Sequence, residues 1–284
     1  MRNGEPKSAP SWLALVIGNT RLHWGYWCQG RFVGAWHTPH LTAAIAAYLH
    51  AAHFRSEAWQ SVAEWSGQFT PAQVASLPTV DIAVSDLWVA SAVPEQSVLW
   101  MQPECSAQVV VRSQIPLTGI YPTLGIDRAI NLLGAGQLAG WPVLVIDAGT
   151  AITLTAGVAQ SVFGGAILPG LRLQREALSQ RTAVLGTLMP QIRTQSEGVL
   201  PERWAVDTEG AIASGLIYGI LSTLTDYIHS WWQQYPEGKA IFTGGDAPYL
   251  YQCLQQRTPE VASRVLVNIH LMFDGMSVYR SALI

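Results

Sequence analysis

Charge is scarce in this chain. Only 12% of its 284 residues are Asp, Glu, Lys or Arg, about half the usual share, and no run of Lys or Arg occurs. With a formal net charge of −3, the composition argues against a nucleic-acid or anionic-membrane surface as the main business. Cysteine is scarce too. Cys28, Cys105 and Cys253 are an odd number and widely scattered, which suits free thiols in a reducing cytoplasm. No uninterrupted apolar stretch reads as a membrane span. The most apolar segment, Trp141 to Val158, holds Pro142, Asp147, Gly149 and several threonines, and reads as buried strand, turn and strand. Residues 1–10, MRNGEPKSAP, have no apolar run and read as a loose tail, not a signal peptide.

What is abundant is apolar surface. Hydrophobic residues make up 49% of the chain and twelve are Trp, which argues for large cores and a subunit interface. The length is that of two domains. Short apolar runs ending in turns, WLALVIG and then RLHWGYWCQGRF up to Gly30, predict paired strands. LTAAIAAYLHAAHF has helical spacing, DLWVASAVP reads as a strand then a loop, AQVVVRS as a further strand, and GIDRAINLLGAGQLAG as a helix ending at Gly140. The series then restarts: strands PVLVIDAG and AITLTAGV, a Gly-Gly turn, and helix LRLQREALSQRTAVL. Helix EGAIASGLIYGILSTLTDYIHSWWQQY, strand KAIFTGG and a last helical stretch, LMFDGMSVYRSAL, complete it. Two such series predict a duplicated α/β fold with a cleft between halves. The expected division is 11–124 and 125–284.

Each series opens on a similar motif, LALVIGNTRLHWG and VLVIDAGTAITLTAG. Aligned on Gly18 and Gly149, the second has Asp147 where the first has Val16. Glycine at such a turn lets backbone N–H groups approach a phosphate, and the following hydroxyl or amide adds a donor. A carboxylate just before the turn can hold a cation beside the phosphates. Either motif alone is no more than an ordinary hairpin. Their repetition, with further motifs in order, favours a nucleotide grip.

These motifs resemble those of the type III pantothenate kinases, within the actin, hexokinase and sugar-kinase superfamily. VIGNT (Val16 to Thr20) is similar to the family's Asp-x-Gly-Asn-Thr, and GIDR (Gly125 to Arg128) to its Gly-x-Asp-Arg. DAGT (Asp147 to Thr150), GGAILPG (Gly164 to Gly170), FTGG (Phe242 to Gly245) and IHLMFDGM follow in the family's order. The resemblance implies duplicated ribonuclease-H-like, actin-like ATPase domains with a nucleotide cleft. It also implies ATP- and magnesium-dependent phosphorylation of pantothenate, the entry to coenzyme A synthesis, in a homodimer.

The resemblance further assigns roles. Asp127 is the expected general base, and one carboxylate near the nucleophile suffices for phosphoryl transfer. Arg128 clamps the substrate carboxylate with parallel hydrogen bonds, and Gly125 and Ile126 complete that motif. The pair has a plainer alternative, a salt bridge at a helix start. ATP contacts fall to Val16, Ile17, Gly18, Asn19, Thr20, Arg21, Leu22 and His23, and to Gly149, Thr150, Thr243, Gly244 and Gly245. Asp147 binds a monovalent cation, potassium or ammonium. Thr208 reaches the neighbouring subunit's pantothenate pocket, although Thr208 or Asp207 could simply cap a helix. Tyr121 corresponds to a pocket tyrosine that usually lies three residues further upstream. His50 and His53 have no cysteine or carboxylate nearby to complete a metal site, and Trp231-Trp232 reads as packing or interface.

Val16 departs from the family, since valine neither ligates a metal nor accepts a hydrogen bond. It keeps open a non-catalytic regulatory or transcription-accessory protein on the same scaffold, and a kinase of another small alcohol is a third alternative.

Overall fold

A computed structural model describes residues 11–79, 84, 86–101, 107–181 and 199–284. Cys105 and the part beyond Arg181 of the helix expected to start at Leu171 lie outside the described residues. In chain order the elements are β1 (Trp12–Ile17), β2 (Leu22–Cys28), β3 (Arg31–Thr38), α1 (Ala43–Ala51), α2 (Ser56–Ser66), α3 (Pro71–Ser76) and β4 (Leu87–Ser91). Then come α4 (Pro94–Ser97), β5 (Gln108–Val109), α5 (Ile126–Ala139), β6 (Val143–Ala148), β7 (Ala151–Val158), β8 (Ser161–Pro169) and α6 (Leu171–Arg181). The last are α7 (Thr208–Gln234), β9 (Lys239–Thr243), α8 (Ala247–Arg257), α9 (Pro259–Ala262), β10 (Val265–Val267) and α10 (Leu271–Ser281).

Among the described residues, ten strands form two five-stranded sheets of identical plan, β3-β2-β1-β4-β5 and β8-β7-β6-β9-β10. In each, the first three strands are an antiparallel meander and the last two run parallel to its central strand. This is the ribonuclease-H-like arrangement, present twice. The central strands explain their own sequences. All six residues of β1 and five of six in β6 are buried, as continuous apolar runs covered on both faces should be. The chain divides into two compact units. One holds residues up to Ile115, Gly125–Ile130 and Met276–Ile284, and the other holds Pro116–Leu124 and Asn131–Gly275. They interleave along the sequence because α5 and α10 each contribute to both.

The tryptophans are mostly core. In the first unit Trp24 lies against Trp59 and Trp100, with centroids 4.9 and 5.0 Å away, and gives its indole N–H to Thr38 Oγ1 at 3.1 Å. In the second, Trp231 and Trp232 are buried and donate to the carbonyls of Lys239 and Gly238 at 3.1 and 2.9 Å. That pair is therefore internal packing, pinning the end of α7 to the start of β9. Helix α7 is long and apolar enough to cross a membrane, yet ten of its residues are buried in the second unit's core. It is a core helix.

Several local expectations change. The turn expected at Gly164–Gly165 lies inside β8, where the two glycines pair with Ala156 and Thr155. The chain reverses earlier, at Ala159 and Gln160, which take φ of 47° and 62° without glycine. AQVVVRS forms only a two-residue strand. Sequence patterning also missed β3, α2, α3, α4, β8, α8, α9 and β10 as separate elements.

Candidate active site

The first turn joins β1 to β2. Gly18 N–H donates to Arg21 O at 3.1 Å, and Asn19, Thr20 and Arg21 project into solvent. His40 Nε2 donates to the Gly18 carbonyl at 2.8 Å, since a carbonyl can only accept. Val16 is 3% exposed and faces His23 across the β1–β2 register. His23 Nδ1 lies 3.0 Å from His37 Nδ1, so one of the two nitrogens carries the shared proton and the other accepts it. Burial, then the nearby His37 and Arg21, push the His23 pKa down to about 3. A neutral imidazole and a valine thus stand where the second turn has a carboxylate.

The start of α5 carries the Gly125–Arg128 motif. Asp127 Oδ1 accepts the Arg128 N–H at 2.9 Å, which folds the carboxylate back over the positive end of the helix. A Cβ on Gly125 would collide with that carboxylate. Glycine is therefore what leaves Asp127 room to adopt this position. Arg128 is 7% exposed, a buried and not a surface side chain.

In the second unit the turn between β6 and β7 holds Gly149 and Thr150. Gly149 N–H donates to Ala151 O at 3.1 Å, and Thr150 O accepts Gly170 N–H at 3.0 Å. Asp147 ends β6 in parallel register with Thr243 of β9. The DAGT and FTGG motifs therefore lie side by side. Gly244, at φ 92°, could not bear a side chain without striking the Asp147 carboxylate and Ala148 O. Asn131 of α5 donates Nδ2 to Asp147 Oδ2 at 2.9 Å. Sequence reading did not single Asn131 out. Its only signal is an amide on the apolar face of a helix.

Thr208 is the first residue of α7, and the cap is Asp207, whose Oδ1 accepts Gly210 N–H at 2.7 Å. Thr208 is exposed and free of that duty. Tyr121 is 39% exposed, in the loop before α5. His50 packs against the rings of Phe54 and Trp100, and His53 takes a φ of 50° just past α1.

The sequence model of the type III pantothenate kinases matches residues 12–230. A type III pantothenate kinase of Nostoc sp. is 41% identical over 266 residues, covering 93% of this chain and 92% of that one. The chain belongs to the type III pantothenate kinase family. A second member, from Synechococcus elongatus, is 38% identical over 270 residues, covering 93% of this chain and 94% of its own. Among solved structures, one from Campylobacter jejuni described as a candidate Baf family transcriptional activator aligns with TM-score 0.57 at 17% identity. It covers 95% of this chain and 97% of its own. The ethanolamine utilization protein EutJ from Carboxydothermus hydrogenoformans aligns with TM-score 0.51 at 11% identity, covering 97% and 92%. At such identity these two show the fold alone, and they lend no support to a regulatory role for this pantothenate kinase relative.

Proposed function

We propose that this chain transfers the γ-phosphoryl group of ATP to the primary hydroxyl of pantothenate, giving ADP and 4′-phosphopantothenate. The observation that carries this reading is the Gly125–Arg128 arrangement in a chain of this family. A carboxylate is set over a helix N-terminus in space that a side chain at Gly125 would crowd, with a buried arginine next to it. Asp127 takes the hydroxyl proton as that oxygen bonds to the γ-phosphorus and the bond to the β–γ bridging oxygen breaks. Arg128 holds the substrate carboxylate. The N–H groups of both glycine turns are assigned to the phosphates, whose transfer needs positioning more than covalent help.

Magnesium bound with ATP neutralises phosphate charge. Val16 offers it no oxygen, so no step is assigned to that position. Asp147 fits a monovalent cation, because it is a carboxylate with neutral oxygens beside it. Thr208 is assigned to the pocket of a second protomer. The segment leading to it supports an interface, since Trp204 is 85% exposed and Val206 fully so, a patch that favours covering. We read the protein as a soluble cytoplasmic homodimer.

The test is ADP release by the purified protein with and without pantothenate, with the phosphorylated product confirmed by mass. Pantothenate-dependent release is expected. ADP release that ignores pantothenate, or requires another alcohol, overturns the reading.

A further inference from the structure

Among the described residues of the second unit, two buried oxygens close to one carboxylate, on Asn131 and Thr243, lack hydrogen-bond partners. Asn131 is 1% exposed. Its Nδ2 is committed to Asp147 Oδ2 at 2.9 Å, which fixes the amide so that Oδ1 points elsewhere. That Oδ1 is buried and meets no hydrogen-bond donor. Thr243 is 0% exposed and registers with Asp147 across the parallel strands β6 and β9, which puts both side chains on one face of the sheet. Its Oγ1 is also buried without a partner. Gly244 keeps the space beside the Asp147 carboxylate clear, since a side chain there would fill it.

An unmet buried oxygen is costly, and two of them beside one carboxylate ask for a shared electron-pair acceptor. Carbonyl, hydroxyl and carboxylate oxygens are the donors that hard cations take, and such oxygens replace the hydration shell of potassium. A single carboxylate balances a single positive charge. We infer that Asn131 Oδ1 and Thr243 Oγ1 join the Asp147 carboxylate as ligands of a desolvated monovalent cation. Asn131 also acts as the positioning residue that orients the carboxylate. The inference rests on the assignment of a cation to Asp147 made above and names the neutral oxygens that complete the site.

The test reads binding directly and needs no turnover. Calorimetric unfolding midpoints are measured against potassium chloride, with ionic strength held constant by tetramethylammonium chloride, and thallium(I) NMR reports occupancy. The wild type should gain stability saturably. Thr243→Val keeps the shape and removes the oxygen. It should raise the half-saturating potassium concentration at least about tenfold, the equivalent of about 1.4 kcal/mol, and Thr243→Ser should restore it. Asn131→Leu should lose the thallium signal. If that variant fails to fold, the Val and Ser pair still decides. If Thr243→Val saturates like wild type while Asp147→Asn does not respond, the two oxygens hold water, and only this inference falls. If the wild type itself shows no response to potassium or thallium, the Asp147 assignment falls with it.

Discussion

The two glycine turns share a strand plan and a role in the sequence pattern, yet they are built differently, the first closing from Gly18 N–H to Arg21 O and the second from Gly149 N–H to Ala151 O. Around Gly149 the neighbours are a carboxylate, an amide and a hydroxyl: Asp147, Asn131 and Thr243. Around Gly18 they are a buried valine and three imidazoles, with His40 holding the Gly18 carbonyl and His23 held by His37. The first turn has hydrogen-bonding groups but no fixed negative charge. The second keeps a carboxylate in a setting of oxygen donors. The strand plan is kept in both sheets while the electrostatics differ, a carboxylate standing by one turn and neutral groups by the other.

If both turns only position the nucleotide, the largest loss must come from neither. Asp127→Asn is expected to cut turnover about 10²–10⁴-fold with ATP affinity kept, read from steady-state rates and nucleotide binding. A variant within a few-fold of wild type takes Asp127 out of the chemistry. Next comes the change that makes the second turn resemble the first. Asp147→Val should lower the rate by at least about tenfold and abolish the dependence on potassium or ammonium. Equal rates of wild type in sodium and in potassium would break the comparison at its root.

The reverse change should matter less. Val16→Asp is expected to leave the rate within about threefold while destabilising the unit by roughly 1–3 kcal/mol, because the new carboxylate is buried among apolar neighbours. Its position opposite His23 should also raise that imidazole's pKa, visible by NMR. A large gain in rate would instead mean that the first turn is impaired by its valine.

The last effect is on stability against pH. With His23 at about 3 in the folded chain against an ordinary 6.5, the unfolded chain binds a proton between those values that the folded chain refuses. Stability from this source is therefore complete above about pH 6.5 and declines as pH falls toward about 3. Burial lowers the pKa of His270 as well, which acts in the same direction. His23→Gln should flatten the acid limb relative to wild type, and an unchanged limb would show that the imidazole pair is not what separates the turns.

Much of this was legible in the sequence for definite reasons. β1, β6 and the α5 helix carry unbroken apolar runs or clear helical spacing, and glycine marks both turns and the end of α5. The Ala159–Gln160 reversal was not legible, because neither residue advertises a positive φ, while Gly164 and Gly165 did so misleadingly. At the start of α7 the pattern allowed either Asp207 or Thr208 as the cap, and only the bond to Gly210 decided it. Asn131 escaped notice because its meaning depends on what it touches across sixteen residues of chain, and no spacing rule encodes that.

The uneven placement of indoles has an optical consequence. Eight of the twelve tryptophans belong to the first unit, and Trp24, Trp59, Trp88 and Trp100 are among its most buried side chains. Near-ultraviolet emission from this protein is thus chiefly a report on one half of it. Events at the Asp147 cluster, in the half with fewer indoles, would give the weaker signal in a fluorescence titration.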